Sequence, residues 1–493
     1  MALAQQGASV CGPAGEEPPI DTDLDVGVLA ALCREALGQP DRHAALRALR
    51  DALPAAFSPV TGIRNGGLLS THELQAGARL RPGWTEAGSK ARRICAAREM
   101  ELLKGLGFQV EPLDNVTSVL RTSSRKKALA VLLHPQEIPE SPAPRFGDAS
   151  PVTYALAVAD RENQPFVFLL QGSKLRLYPT RVGVGVGRRG RTETWLEIHL
   201  GVLRPEEAAL LWLIFSAEAL ESKGSLEQLL EASSRFAGDL AAGLRERICN
   251  SVIPTLAQGL VAARRLPAPE IADLQETYSM AMVLLFRILF AAYAEDKDLL
   301  PYRANSLYQH RSLKTKAQEL RELRLQKVPF DESAGLREEL QQLLRSVDQG
   351  RGEWGVPACD GGLFSEDPEV SPIGAKLAEV SLPNTVIGPA LSKLLLVPTE
   401  EGLGPVDFRS LSVLEFGTIY EGLLESELSV AEADLTVDHE GVYRPCRPGE
   451  AAVVPKGAAY LHNASGARKS TGTYFTKSFA VEHLLNETLV WRK

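Results

Sequence analysis

The sequence predicts an α+β, multidomain chain, with an N-terminal α/β sheet domain followed by a mainly helical connector. Three observations carry this expectation. Apolar residues recur at helical spacing over 22–57 and again over 225–346. Between 108 and 200 the period falls to two, and short apolar runs alternate with Pro, Gly and Ser clusters. The 493 residues also exceed what one core sustains, at roughly 150 residues per domain.

The elements follow in order. Residues 1–21 are small residues, Pro and acids, with no basic start and no apolar stretch, so they read as a disordered leader and not a secretory signal. Val26, Leu29, Ala30, Leu32 and Cys33 recur at helical spacing, and Ala44 to Leu53 continues the pattern after Gly38 and Pro40. Residues 90–107 predict another helix, stopped by Gly105 and Gly107. The runs FQVEPL, ALAVLLH, TYALAVA, PFVFLLQ, KLRLYPT and TWLEIHL predict a mixed or antiparallel sheet of about six strands, closing an N-terminal domain at 22–224. A long helix over 204–221 leaves that sheet. Residues 225–346 are helical, with Leu285, Ile288, Leu289, Ala292 and Tyr293 striping a central helix that ends near Leu300-Pro301. Residues 347–467 form a helical and loop-rich connector. It carries short helices at about 374–380, 388–396 and 410–426, and strands at Thr436–Val442 and Ala451–Pro455.

Composition narrows function. There are 54 basic and 62 acidic residues, a net charge of −8, which argues against coating nucleic acid by bulk charge but leaves room for a local basic surface. No apolar run reaches the roughly 18 residues of a membrane span, and Met280–Ala294 is interrupted by Arg287, so a buried helix is expected there. The six cysteines have no metal-ligand spacing, which fits inert thiols in a reducing cytosol. GVGVGRRG, Gly183 to Gly190, lacks the following apolar helix of a dinucleotide site and predicts a flexible basic hairpin.

Two chemistries can be tested on residue types. A restriction-type nuclease needs an Asp on one strand and an acid-x-Lys on the next, to hold Mg²⁺ beside a phosphate. The candidate acids are Glu111, Asp114, Asp148, Asp160 and Glu162. The run FVFLLQGSKLRLY offers Gln171 and Lys174 but no carboxylate beside the lysine, so no metal site is assigned. DNA binding needs clustered cations, because neutralised phosphates release counterions. Three clusters qualify. Residues 303–327 hold Arg303, Arg311, Lys314, Lys316, Arg321, Arg324 and Lys327 against two acids. Residues 174–191 hold six basic residues, Arg188 and Arg189 among them, and no acid. Arg121, Arg125, Lys126 and Lys127 make the third.

The last segment, RKSTGTYFTKSFAVEHLL, resembles the motif that opens the methylase domain of gamma-class N6-adenine DNA methyltransferases. LSVLEFGTIYEGLLE (Leu411 to Glu425), VPACDGGLFSED (Val356 to Asp367), RILFAAYAEDKDLLP (Arg287 to Pro301) and GGLLSTHEL (Gly66 to Leu74) resemble further segments of type IIG restriction–modification methylases and of their DISARM- and BREX-like phage-defence relatives. The C-terminal matches keep the family order over about 280–493, and 1–230 matches only loosely. The resemblance implies that residues 468–493 begin a Rossmann-like methylase domain. It implies that Gly472, Tyr474, Phe475 and Thr476 help bind S-adenosylmethionine. Lys477 stands where the family has Pro. The family's Gly-rich cofactor loop and its catalytic N-P-P-Y do not occur in these 493 residues, so no catalytic residue is assigned. The expectation is the N-terminal portion of an adenine-specific DNA methyltransferase, acting on double-stranded DNA with other defence-system proteins as possible partners and no membrane. In it the sheet domain is a degenerate restriction-endonuclease-like unit. On that reading the chain alone is inactive; the alternatives are a non-catalytic DNA-binding or assembly module and, less favoured, a Mg²⁺-dependent nuclease domain.

Overall fold

A computed structural model describes residues 26–463 except 123–125, 187–189, 267–269, 360, 400–401, 412, 425 and 439–441. The chain forms two units. The first takes in residues up to Leu68, Glu73–Val184 and Arg189–Leu229; the second takes in Leu69–His72, Gly185–Arg188 and the chain from Leu230 onward.

The first unit opens with α1 (Val26–Leu37) and α2 (Arg42–Ala56), the latter started by Asp41, whose carboxylate accepts the Ala44 amide at 2.8 Å. Strand β1 (Ile63–Asn65) precedes α3 (Trp84–Ile94) and α4 (Glu99–Gly105). These two helices replace the single one expected over 90–107. Arg98 folds back onto the carbonyls of Cys95 and Ala97 and ends the first helix there.

A meander follows: β2 (Gln109–Pro112), β3 (Thr117–Arg121) and β4 (Lys126–Leu132). Helix α5 (Pro151–Arg161) crosses to β5 (Phe166–Gln171), which lies parallel to β4. Strands β6 (Lys174–Pro179) and β7 (Leu196–His199) complete a seven-stranded mixed sheet of order β1-β7-β6-β5-β4-β3-β2. TYALAVA is thus a helix and not a strand. Ser150 caps it, Pro151 fits its first turn, and Val152, Ala155, Leu156 and Ala159 pack against Leu129, Val131, Val167 and Leu169 of the sheet. The expected 204–221 helix is only α6 (Ala209–Phe215), because Ser216 turns extended and its hydroxyl accepts the Ala219 amide.

Helix α7 (Ser225–Arg247) runs on into the second unit. There α8 (Ile253–Arg264), α9 (Ile271–Asp296), α10 (Ser306–Gln309), α11 (Leu313–Leu325), α12 (Gly335–Gln349), α13 (Pro372–Glu379), α14 (Asn384–Leu395) and α15 (Val413–Leu424) surround one core that extends from Leu240 to Ala459. That core runs through both the 225–346 and 347–467 stretches. Three two-stranded ribbons decorate it: β8 (Leu396–Thr399) with β9 (Gly402–Pro405), β10 (Ser426–Val430) with β13 (Ala459–Asn463), and β11 (Leu435–Val437) with β12 (Tyr443–Pro445). The strand expected at 451–455 is a single bridge, Leu435 to Val454.

Helix α9 is long and apolar enough to cross a bilayer. Most of that stretch is instead buried in the protein, with Met280, Ala281, Leu284, Leu285, Ile288 and Leu289 all in the core.

Candidate nucleic-acid interface

Helix α9 organises the second unit, and it does so through polar groups placed in an apolar helix. Arg287 is 3% exposed. Its Nε donates to the Leu363 carbonyl at 2.6 Å and its Nη2 to the Ser365 carbonyl at 2.8 Å, which fixes the GGLFSED loop. Phe290 meets Phe364 edge to face in the same contact. Gly374 makes room for it: a Cβ there would stand 2.3 Å from the Ser365 carbonyl and 2.5 Å from the guanidinium.

At its C-terminal end α9 caps other elements. Glu295 is fully buried. Its carboxylate accepts the amides of Leu313 and Lys314, the orphan donors at the start of α11, and the Tyr308 hydroxyl at 2.8 Å. Asp296 accepts the Phe408 amide at 2.7 Å and pairs with Lys314 at 2.8 Å. On its other side α9 meets α15, where Phe286 packs on Tyr420, Tyr293 on Phe416, and the Tyr278 hydroxyl donates to the Leu423 carbonyl. Three sequence segments that resemble methylase motifs therefore meet on one helix. The fourth, Gly66 to Leu74, is divided: residues 69–72 fall in the same unit, where Ser70 donates its amide to Ser233 at 3.0 Å and His72 stacks on Phe236 at 4.4 Å, and the rest fall in the first unit.

Burial pushes Glu295 up to about 7, against three hydrogen bonds that favour its carboxylate. A folded-state value above the ordinary 4.5 means that its stabilisation is whole below about 4.5 and is lost as pH rises through about 7. Unfolding followed by hydrogen exchange in the second unit should lose up to about 3 kcal/mol over that window. Glu295→Gln should flatten this slope, at a pH-independent loss from the missing acceptor.

The basic clusters fare unequally. In the first unit Lys174 pairs with Asp51 at 3.2 Å, and Arg191 pairs with Asp160 at 2.7 Å. Arg176 is buried against Glu197 at 2.8 Å, with Glu140 and the Tyr178 hydroxyl also in reach. Three of the six cations of 174–191 are thus paired with acids from elsewhere in the sequence. Arg188 and Arg189 lie outside the described residues. Arg121 pairs with Glu111 at 2.7 Å.

In the second unit two residues expected to bind DNA are also spent: Lys314 on Asp296, and Lys316 on Glu319 and Glu339. Arg321 and Arg324, one turn apart on α11, are exposed and make no ion pair among the described residues. Lys327 is exposed just beyond them. Arg311 is exposed too, its guanidinium over the Trp354 ring. The basic surface that remains is therefore α11 and the turn before it.

Among the described residues no nuclease centre assembles. Asp114 sits in a turn before β3. Burial works against its charge, yet the Val116 and Thr117 amides and the Tyr154 hydroxyl hold its carboxyl below the usual range. Glu111 and Asp160 face arginines. Strand β4, next to β3, reads KKALAVL and has no acid. Among the described residues no three His, Cys, Asp or Glu side chains converge as a metal-holding set.

The sheet instead carries a buried charge ladder. Arg64, Glu197 and Arg176 are in register across β1, β7 and β6. Both guanidiniums lie over Trp195, at 5.3 and 4.3 Å. Burial opposes the charge on Glu197, but the two arginines outweigh it and hold its carboxyl below the usual range. Local sequence gave no sign of this ladder. For Arg287 and Glu295 the one available signal was an arginine inside, and an acid at the end of, an otherwise apolar run. Gly472, Tyr474, Phe475 and Thr476 lie outside the described residues. No protein-family model, curated protein or solved structure matches the chain.

Proposed function

We propose that this chain is the N-terminal part of an S-adenosylmethionine-dependent N6-adenine DNA methyltransferase from a restriction–modification or phage-defence system, and that this part engages duplex DNA and scaffolds the methylase domain. One observation supports the reading above the others: RILFAAYAEDKDLLP, CDGGLFSED and the EGLL helix, far apart in sequence, are joined through Arg287, Phe290, Tyr293 and Tyr278 of α9. Segments that resemble one family in order would be expected to form one structural unit. The DNA contact falls to Arg321, Arg324 and Lys327, whose charge is not spent on acids among the described residues.

The cofactor class rests on the resemblance of Gly472, Tyr474, Phe475 and Thr476. When bound, S-adenosylmethionine would supply the methyl group. The residues that would activate an adenine, flipped from the duplex, belong to the N-P-P-Y that these residues lack. Partners would be duplex DNA and other proteins of the defence system, in the cytoplasm. The free thiols fit that setting: burial pushes Cys95 and Cys249 up, which makes them poor nucleophiles.

The test joins the coding DNA to an assay. The reading frame of the full gene should encode a Gly-rich loop and N-P-P-Y after Lys493. Its complete product should transfer tritiated methyl groups to adenine, and the 493-residue chain alone should not. Transfer by this chain alone would overturn the assignment, as would a complete gene lacking both motifs.

A further inference from the structure

We propose that Arg311 and Arg351, both laid over Trp354, form a phosphodiester-binding pair that grips one strand of the duplex backbone. The proposal rests on the DNA engagement put forward above and adds a site outside α11.

The loop is built to hold these groups still. Gly352–Trp354 make one turn of 3₁₀ helix, and the Arg351 and Val356 backbones bond each other in both directions, at 2.8 and 3.1 Å. Gly350 and Gly355 flank it at φ +74° and +69°, where a side chain would be strained. The Asn305 side-chain amide donates to the Glu353 carbonyl at 2.9 Å, pinning the loop to the turn that leads into Arg311. Trp354 is 2% exposed and is a member of the core, so it is a fixed platform.

On that platform the guanidinium carbons of Arg311 and Arg351 stand 5.0 and 4.1 Å from the ring centroid. They can be no further apart than the sum of those distances. Two like charges that close repel, and the described residues do little to offset it. Arg311 gives one hydrogen bond, to the Leu307 carbonyl at 3.2 Å. Arg351 has only Glu353, at 3.8 Å, beyond hydrogen-bond distance. Most of the N–H donors of the two forks are therefore open to water. A guanidinium stacked on an aromatic ring loses little freedom when its in-plane donors take a phosphate in bidentate fashion. Contrast Arg64 and Arg176, which share Trp195 but are tied to Glu197. That stack is closed by its acid, whereas this one stands open and exposed at the end of the basic face of α11.

The experiment titrates the full chain with a mixed-sequence DNA duplex at stepped salt and reads the slope of log affinity against log salt. Arg311→Gln/Arg351→Gln, which keeps the side-chain stems over the tryptophan, should lower the slope by about 2 and weaken binding alike on all sequences. Arg311→Lys/Arg351→Lys keeps both charges, so it should keep the slope and bind several-fold more weakly. Melting temperatures of both variants are measured alongside, and the Lys variant holds the test if the Gln variant fails to fold. An unchanged slope in a folded Gln variant, while Arg321→Gln/Arg324→Gln lowers it, would overturn this proposal and leave the proposed function standing. Absence of DNA binding by the unsubstituted chain would overturn both.

Discussion

Replacing Glu197 by alanine is expected to cost the first unit about 3–5 kcal/mol, against the roughly 5–15 kcal/mol that holds an ordinary domain folded. The carboxylate is 3% exposed and is the shared partner of Arg176 and Arg64. Without it, Arg176 keeps only the half-exposed Glu140 and the Tyr178 hydroxyl, and one guanidinium charge is left buried and poorly compensated. The loss comes from stranding a charge, not from the net value of the pair. Arg176→Met/Glu197→Leu, which removes both charges and fills the space, should therefore recover most of the stability. Urea unfolding of the three proteins checks this. A double variant as unstable as the single one would show that the ladder itself holds β1, β7 and β6 in register.

Arg287→Ala should destabilise the second unit by about 3–4 kcal/mol. Two bonds from a charged donor to the Leu363 and Ser365 carbonyls are lost, at about 1.5–3 kcal/mol each before relaxation. The effect should be focused: hydrogen exchange should rise first over 361–367 and in α13, and only later in α8. Gly374→Ala attacks the same contact from the other side, since its Cβ would press on both the Ser365 carbonyl and the guanidinium. The two substitutions should combine to less than the sum of their separate effects, because each removes the same arrangement. Additive losses would mean that the guanidinium and the loop are not coupled.

Much of the fold could be read from pattern, and the failures have physical causes. Helices α1, α2, α9 and α14 carry their apolar stripe over three turns or more, so period alone finds them. TYALAVA is too short for that: seven mostly apolar residues alternate passably and also fill a helical face. Ser150-Pro151 before it was the deciding signal, a cap and a first-turn proline. Strands β1 and β3 are three and five residues long, and take their place from their neighbours in the sheet. The site was harder. Lys174 finds Asp51, 123 residues away, and Arg176 finds Glu140, 36 residues away, so a local window shows cations and hides their partners. In α11 the same window was a better guide, because Arg321 and Arg324 point away from the core formed by Leu313, Ala317 and Leu320.

The proposed DNA engagement requires a chain with net charge −8 to hold a duplex through Arg311, Arg321, Arg324, Lys327 and Arg351 of its second unit. Fluorescence anisotropy of a labelled duplex with the unsubstituted chain, at salt stepped from low to physiological, tests that most directly. The expected result is binding without sequence preference, whose log affinity falls linearly with log salt at a slope of about −3 to −5, as four or five phosphate contacts would give. No binding at the lowest salt, or binding indifferent to salt, would contradict it.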